Sequence, residues 1–141
     1  MGRMDIRELL LTTRRIALVG ASNKPDRASF RVMRFLLERG YDVTPVNPGL
    51  AGQEILGRRV VAKLAEAAPL DLVDVFRRSE EAGAVMDEAL ALGARAVWLQ
   101  LGVVDEEAAA RARRRGVTVV MDRCPVIEWE PAGLPDRLAA T

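Results

Sequence analysis

The stretch Arg15-Ile16-Ala17-Leu18-Val19-Gly20 places four apolar residues directly before a glycine. A short apolar run that ends at a glycine is typical of a strand in the interior of a parallel sheet. The glycine allows the backbone to turn sharply and to approach a pyrophosphate, while the helix that follows offers unpaired amides to an anion. Only the first glycine of the G-x-G-x-x-G fingerprint is present, so a nucleotide-binding turn and a plain tight turn are both open.

Strands and helices alternate outward from this stretch, with short breaks marked by glycine or proline. The pattern predicts strands over 15–19, 42–46, 71–76, 95–99 and 117–121, and helices over 4–11, 29–39, 62–67, 80–92 and 105–115. Such alternation generates a parallel sheet through right-handed crossovers. We therefore expect one α/β domain over 1–141, a Rossmann-like, doubly wound, five-stranded parallel sheet in the order 3-2-1-4-5, with helices on both faces.

The composition excludes several kinds of chemistry. The 141 residues include no histidine and one cysteine, and the formal net charge is +1. Without histidine there is no Ser–His or Cys–His pair and no imidazole ligand, and one cysteine cannot complete a zinc shell. The near-neutral charge and the scattered basic residues give no support to a nucleic-acid partner. We therefore expect no catalytic residue, no metal site and no nucleic-acid binding.

The sequence carries no targeting or membrane signal. Residues 1–13 lack the apolar core of a signal peptide. No apolar run approaches the ~18 residues that a membrane helix needs. A single cysteine excludes an internal disulfide and fits a reducing compartment. These features predict a cytoplasmic protein without a membrane partner.

Candidate ligand residues follow the predicted strands, because doubly wound sheets bind ligands at the carboxyl ends of their strands, beside the switch point at the first strand. Lys24 and Arg27 add positive charge to the loop that begins at Gly20. The second strand contains Pro45, which implies an unpaired amide at a sheet end or edge, and Asn47 follows it. An NAD-binding domain has Asp or Glu there, whereas Asn does not repel a ribose phosphate. A nucleotide with a phosphorylated ribose, such as coenzyme A, therefore fits better than NAD.

Five distinctive segments follow one another along most of the chain. They contain the runs Val19-Gly20-Ala21-Ser22, Val43-Thr44-Pro45-Val46-Asn47-Pro48, Asp74-Val75-Phe76-Arg77-Arg78, Leu99-Gln100-Leu101-Gly102 and Asp122-Arg123-Cys124-Pro125. On these segments the chain resembles the family of stand-alone CoA-binding proteins, which is related to the CoA-binding domain of succinyl-CoA synthetase alpha subunits. The resemblance implies coenzyme A as the cofactor.

The resemblance also implies that Ser22, Asn23 and Lys24 line the first CoA loop, and that Phe76 and the run Leu99-Gln100-Leu101 flank the nucleotide. Together with the residues argued above, the expected cofactor-binding set is Gly20, Ala21, Ser22, Asn23, Lys24, Arg27, Asn47, Pro48, Phe76, Arg77, Leu99, Gln100 and Leu101.

The chain departs from the synthetase pattern in two loops. Asn23, Lys24 and Pro25 stand where the synthetase loop is glycine-rich, and Leu50 stands where a lysine follows the second strand. The phosphohistidine domain and the ATP-binding partner of the synthetase are also missing. The resemblance therefore does not imply ligase activity.

Five residues near the predicted ligand mouth have a structural and a functional interpretation. Burial as a small apolar residue is favoured for Cys124 over a mixed disulfide with coenzyme A. Phosphate binding and a surface ion pair are both open for Arg77. Asp74, inside a buried strand, needs a partner, and a structural hydrogen bond is favoured. Trp98 is favoured as a core or subunit contact, and Gln100 as a polar ligand contact.

These observations lead to one main hypothesis and one alternative. The main hypothesis is a protein that binds coenzyme A or an acyl-CoA without catalysis of its own, as a carrier, a sensor or a detached subunit. The alternative is an NAD(P)-dependent oxidoreductase on the same fold, which the missing acidic residue after the second strand disfavours. A homo-oligomer and an unidentified protein partner are both left open by the sequence.

Overall fold

The structure, a computed structural model, describes residues 6–138. Its helices are α1 (Ile6–Thr12), α2 (Ala28–Glu38), α3 (Ser79–Ala91), α4 (Glu106–Arg114) and α5 (Pro125–Trp129). Its strands are β1 (Arg15–Val19), β2 (Asp42–Val46), β3 (Glu54–Ile55), β4 (Arg58–Arg59), β5 (Leu72–Val75), β6 (Ala96–Leu99) and β7 (Thr118–Val120). Short 3-10 turns cover Pro48–Leu50 and Leu64–Ala67. The predicted start of the first helix, at residue 4, lies outside the described residues.

Five parallel strands form one sheet in the order β2-β1-β5-β6-β7, and β3 pairs with β4 in a separate antiparallel hairpin. Val19 at the end of β1 lies opposite Val46 of β2 and Val75 of β5. Every residue of β5 and β6 is buried, as expected for central strands that are covered on both faces. The predicted α/β class and the five-stranded parallel sheet are therefore confirmed.

The predicted strand order 3-2-1-4-5 is wrong. Counted over the five strands of the main sheet, the order is 2-1-3-4-5, so β2 is an edge strand and β5 pairs with the other side of β1. Pro45 in β2 gives a physical reason, because its nitrogen has no proton to donate to a further strand. An irregular segment covers that edge instead, with the amide of Val61 donating to the Pro45 carbonyl at 3.0 Å. The expected edge position of Pro45 and the switch point beside β1 are confirmed.

Helices pack on both faces of the sheet, as the alternating pattern predicts. On one face, α1, α2 and α5 contribute Leu10, Met33 and Trp129 to a buried cluster. On the other face, α3 and α4 pack through Met86 and a group of small residues that includes Ala108. Both apolar faces of the sheet are therefore removed from water, which is the main stabilising contribution to such a fold.

Two features of the fold are absent from the sequence-based prediction, the β3–β4 hairpin and α5. The two strands of the hairpin have 2 residues each and α5 has 5 residues. Segments of this length are too short to show a period in their apolar residues. The helix predicted over 62–67 is the 3-10 turn Leu64–Ala67.

Candidate functional site

A cavity of about 480 Å³, which we call the cleft, opens where β1, β2 and β5 end and α2 begins. The residues that line it are Gly20, Ala21, Ser22, Asn23, Lys24, Arg27, Ala28, Ser29, Asn47, Gly49, Leu50 and Phe76. Its volume lies in the range that small-molecule sites occupy. The cleft therefore lies at the switch point of the sheet, where open α/β folds bind their ligands.

Gly20 makes the turn from β1 into the cleft. Its φ of +90° is a conformation that favours glycine, and its amide donates to the carbonyl of Val46 at 3.1 Å. A Cβ atom built at this position would lie 2.8 Å from the backbone oxygen of Phe76. A glycine is therefore required here by the close approach of the β5 end, whatever ligand the loop binds.

The loop after Gly20 and the first turn of α2 present positive charge and backbone donors to the cleft. Lys24 and Arg27 belong to the lining, and the amide of Lys24 donates to the hydroxyl of Ser22 at 3.1 Å. The side chain of Arg27 does not cap α2, and the first turn of the helix contains no acidic residue. The positive end of the helix dipole is therefore available to an anion in the cleft.

Asn47 connects the two loops that form the mouth of the cleft. Its Nδ2 donates to the carbonyl of Ala21 at 2.8 Å, and its Oδ1 accepts the amide of Gly49 at 2.8 Å. Both polar groups of the side chain are thus used within the protein. This geometry assigns Asn47 to holding the loops together, a task that its position after β2 does not reveal.

The structure brings most of the predicted cofactor-binding residues together in the lining. They are Gly20, Ala21, Ser22, Asn23, Lys24, Arg27, Asn47 and Phe76. The lining also contains Ala28, Ser29, Gly49 and Leu50, which the prediction leaves out. Two of these begin α2, and the rule that phosphates bind at helix N-termini is the signal that could have identified them.

Five predicted residues, Pro48, Arg77, Leu99, Gln100 and Leu101, lie outside the lining. Pro48 begins a 3-10 turn, and Arg77 forms an ion pair at 3.3 Å with a glutamate one helical turn away. Leu99 is fully buried, whereas Leu101 is 56% exposed. Gln100 is buried and donates from Nε2 to the carbonyl of a loop residue. A ligand contact at any of these positions stays a prediction.

Two of the other interpreted residues are buried as expected. Trp98 is fully buried in the core, and Cys124 is a buried free cysteine. Asp74 is buried among mainly apolar side chains, and within residues 6–138 no group lies in strict hydrogen-bond geometry with its carboxyl oxygens. The side-chain amide of Gln100 is near enough to lower the pKa of the carboxyl, so the expected structural hydrogen bond stays a prediction.

Two further properties of the described residues concern metals and membranes. Within 6–138, no group of three or more His, Cys, Asp or Glu side chains could hold a metal ion. No helix in the same range has the length and apolar character that crossing a membrane requires.

The strand topology and the position of the cleft define the class of protein. It is a Rossmann-like parallel α/β domain with a cavity at the switch point of its sheet. The chain belongs to the family of the CoA-binding domain, whose sequence model matches residues 14–130.

Individual proteins resemble the chain over most of its length. The protein YneT of Bacillus subtilis is 42% identical over 123 residues, which are 86% of this chain and 90% of YneT. A solved structure from Thermus thermophilus is 37% identical with a TM-score of 0.86, and the match covers 94% of this chain and 99% of that one. A dinucleotide-forming acetyl-coenzyme A synthetase of Ca. Korarchaeum cryptofilum is 25% identical with a TM-score of 0.67, over 82% of this chain and 27% of the synthetase.

Proposed function

We propose that this protein binds coenzyme A, free or as an acyl thioester, in the cleft, and that it acts as a carrier, a sensor or a subunit without catalysis of its own. The observation that carries the proposal is the start of α2. It lines the cleft, it has no side-chain cap, and its first turn contains no acidic residue. That arrangement favours the diphosphate of the coenzyme. Membership of the CoA-binding domain family supports the same ligand.

The charges around the cleft favour the same kind of ligand. Lys24 and Arg27 are exposed cations, and none of the described lining residues is acidic. At the end of β2, where an NAD site has a carboxylate for the ribose hydroxyls, this chain has Asn47. A ligand with both a diphosphate and a ribose phosphate therefore gains more Coulomb energy in this cleft than NAD does.

Isothermal titration calorimetry with coenzyme A, acetyl-CoA and NAD tests the proposal on the purified protein. We expect saturable binding of coenzyme A and its thioester at one site and at least tenfold weaker binding of NAD. Tight binding of NAD without binding of coenzyme A would overturn the proposal and favour the oxidoreductase alternative.

The two lysines of the chain provide a matched pair of variants. Lys24 lies in the lining, whereas Lys63 is exposed and lies outside it. We expect Lys24→Gln to weaken coenzyme A binding about tenfold, because a charge pair at a partly screened surface is worth on the order of 1 kcal/mol or more. The loss should shrink at high salt. Equal effects of Lys24→Gln and Lys63→Gln would place the phosphates elsewhere.

A further inference from the structure

Asp74 is a carboxyl group in the middle of the central strand β5. In the sheet register it lies opposite Leu18 of β1 and Trp98 of β6, and both of these neighbours are fully buried. The residue itself is 1% exposed, and no group among the described residues lies in strict hydrogen-bond geometry with either carboxyl oxygen. An isolated carboxylate in such a place would cost far more free energy than a folded domain can offset.

None of the buried residues within 6–138 is a Lys or an Arg that could compensate Asp74. The cluster of buried side chains on its face includes two other titratable groups, Tyr41 and Cys124, and neither of them is a cation. Arg39, on α2, directs its guanidinium over the rings of Phe35 and Trp129 at 3.9 and 5.7 Å instead. Burial raises the pKa of Asp74 well above its ordinary value, and the amide of Gln100 lowers it by a smaller amount. Burial without a nearby cation therefore favours the protonated, neutral form of the carboxyl.

A protonated carboxyl has one O–H donor, and the side chain of Gln100, which acts on the pKa of Asp74, has an acceptor oxygen. Gln100 directly follows β6, two residues beyond Trp98, which places its side chain diagonally across from Asp74. Its Nε2 already donates to the carbonyl of Arg123 at 3.2 Å, so that its Oε1 is free of that bond. The χ2 torsion of an aspartic acid is soft, so the O–H can turn towards this oxygen.

We propose that Asp74 is a positioning residue that donates a hydrogen bond from its protonated carboxyl to Oε1 of Gln100 and thereby holds the 122–124 turn at the carboxyl edge of the sheet. The carbonyl of Arg123 in that turn accepts from Gln100 and also from Nε1 of Trp98, at 2.8 Å. Removing the donor at position 74 frees the Gln100 amide to rotate. The Arg123 carbonyl then loses one of its two partners.

The 122–124 turn borders the proposed coenzyme site, and this part of the inference rests on the proposed function. Phe76 in the cleft lining directly follows β5, the neighbour of β6 in the sheet, and Gln100 directly follows β6. The amide of Gly102 donates to the carboxylate of Asp122 at 2.7 Å, which ties the loop after β6 to the turn after β7. A ligand that extends from the cleft along the carboxyl edge meets these two loops.

The two tryptophans allow a test that needs no ligand. The indole of Trp98 donates to Arg123, whereas that of Trp129 donates to the carbonyl of Pro135 at 2.8 Å and serves as an internal control. Hydrogen exchange of both indole N–H groups is measured by NMR in the wild type, in Asp74→Leu and in Asp74→Asn. We expect Trp98 to exchange about five- to tenfold faster in Asp74→Leu, which lacks the donor, and Trp129 to be unchanged. Asp74→Asn retains an N–H donor, so the ratio of the Trp98 to the Trp129 exchange rate should stay as in the wild type.

A second variant and a second readout keep the inference falsifiable. Gln100→Leu removes both the acceptor for Asp74 and the donor to Arg123, so it should accelerate exchange of Trp98 at least as much as Asp74→Leu does. Asp74→Leu added to Gln100→Leu should accelerate the exchange no further, because Asp74 acts through Gln100. Coenzyme A affinity should fall about fivefold in both Leu variants and recover in Asp74→Asn. Wild-type exchange at Trp98 in Gln100→Leu, or equal disturbance by Asn and Leu at position 74, would overturn the inference. Absence of coenzyme A binding in every protein would overturn the proposed function and leave the exchange result intact.

Discussion

Asn47 and Gly20 illustrate, at the scale of single residues, how the mouth of the cleft is built from backbone contacts. The side chain of Asn47 joins the loop at Ala21 to the turn at Gly49 with two bonds of 2.8 Å. Gly20 allows the end of β1 to approach the backbone of Phe76. Both residues shape the surface that a ligand would meet, and both therefore affect binding through the protein itself.

Replacing Asn47 with Ala separates its role as a connection between loops from direct recognition of the ribose phosphate. We expect coenzyme A and dephospho-CoA to lose affinity equally, by about five- to tenfold, because the mouth loosens for both ligands. Calorimetric titration with each ligand measures this. A loss confined to coenzyme A would show instead that Asn47 reads the phosphate.

Gly20→Ala should both destabilise the domain and weaken coenzyme A binding. A left-handed conformation costs a residue with a Cβ roughly 1–2 kcal/mol, and the contact of 2.8 Å with Phe76 adds to that cost. Gly116 is the matched control, since its φ is +80° and a Cβ there would meet nothing within 4 Å. Chemical denaturation should show a larger loss for Gly20→Ala than for Gly116→Ala, and equal losses would contradict the importance of the close approach.

At the scale of secondary-structure elements, the helix starts differ in a way that follows the position of the cleft. The first turns of α3 and α4 contain two acidic residues each, and Asp105 caps α4 by accepting the amide of Ala108 at 3.0 Å. The start of α2 has neither a cap nor an acid. Acidic side chains complement the helix dipole, so α3 and α4 are stabilised internally whereas α2 leaves this position to a ligand.

Asp105→Ala tests how much the side-chain cap of Asp105 stabilises α4. Loss of the cap should lower the free energy of unfolding by about 1 kcal/mol, while Asp105→Asn keeps an acceptor oxygen and should lose only a few tenths. Denaturant unfolding measures both variants. Coenzyme A affinity should be unchanged in both, because Asp105 lies outside the cleft lining. A large loss of affinity would mean that α4 contributes to the site.

The element scale also shows where prediction from the sequence succeeds and where it stops. The five long strands and three of the long helices are predicted within about two residues, because apolar runs and glycine breaks are local signals. The order of the strands is not local. Pro45 indicated that β2 lies at an edge of the sheet. Which strand pairs with the other side of β1 is decided by how the long chain segments that connect the strands pack against the sheet.

At the scale of the whole molecule, the sheet separates two buried clusters, and Asp74 belongs to the face that α1, α2 and α5 cover. An acid whose pKa is raised in the folded state makes the stability of the whole domain depend on pH. Below about pH 4 both states hold the proton and the effect is absent. Above that pH the unfolded chain releases the proton and the folded protein retains it. The free energy of unfolding therefore falls as pH rises, until the folded-state pKa of Asp74 is reached.

Asp74→Asn removes this dependence and should be increasingly more stable than the wild type as pH rises. The difference in unfolding free energy should grow by about 1.4 kcal/mol for each pH unit above 4, up to the folded-state pKa. Denaturant unfolding of both proteins between pH 4 and 8 measures it, and other titrating groups cancel in the difference. Parallel stability curves for the two proteins would mean that Asp74 is ionised in the folded state.

The sequence by itself determined the alternation of strands and helices, the parallel α/β class, the loop from Gly20 to Arg27 and the resemblance to CoA-binding proteins. These properties depend on residues that are close in the chain. The tertiary structure decided the strand order, the addition of Ser29 and Leu50 to the cleft lining, the two bonds of Asn47 and the burial of Asp74 beside Leu18 and Trp98. Each of these depends on which distant segments meet, and that is settled only when the side chains of the whole domain pack together.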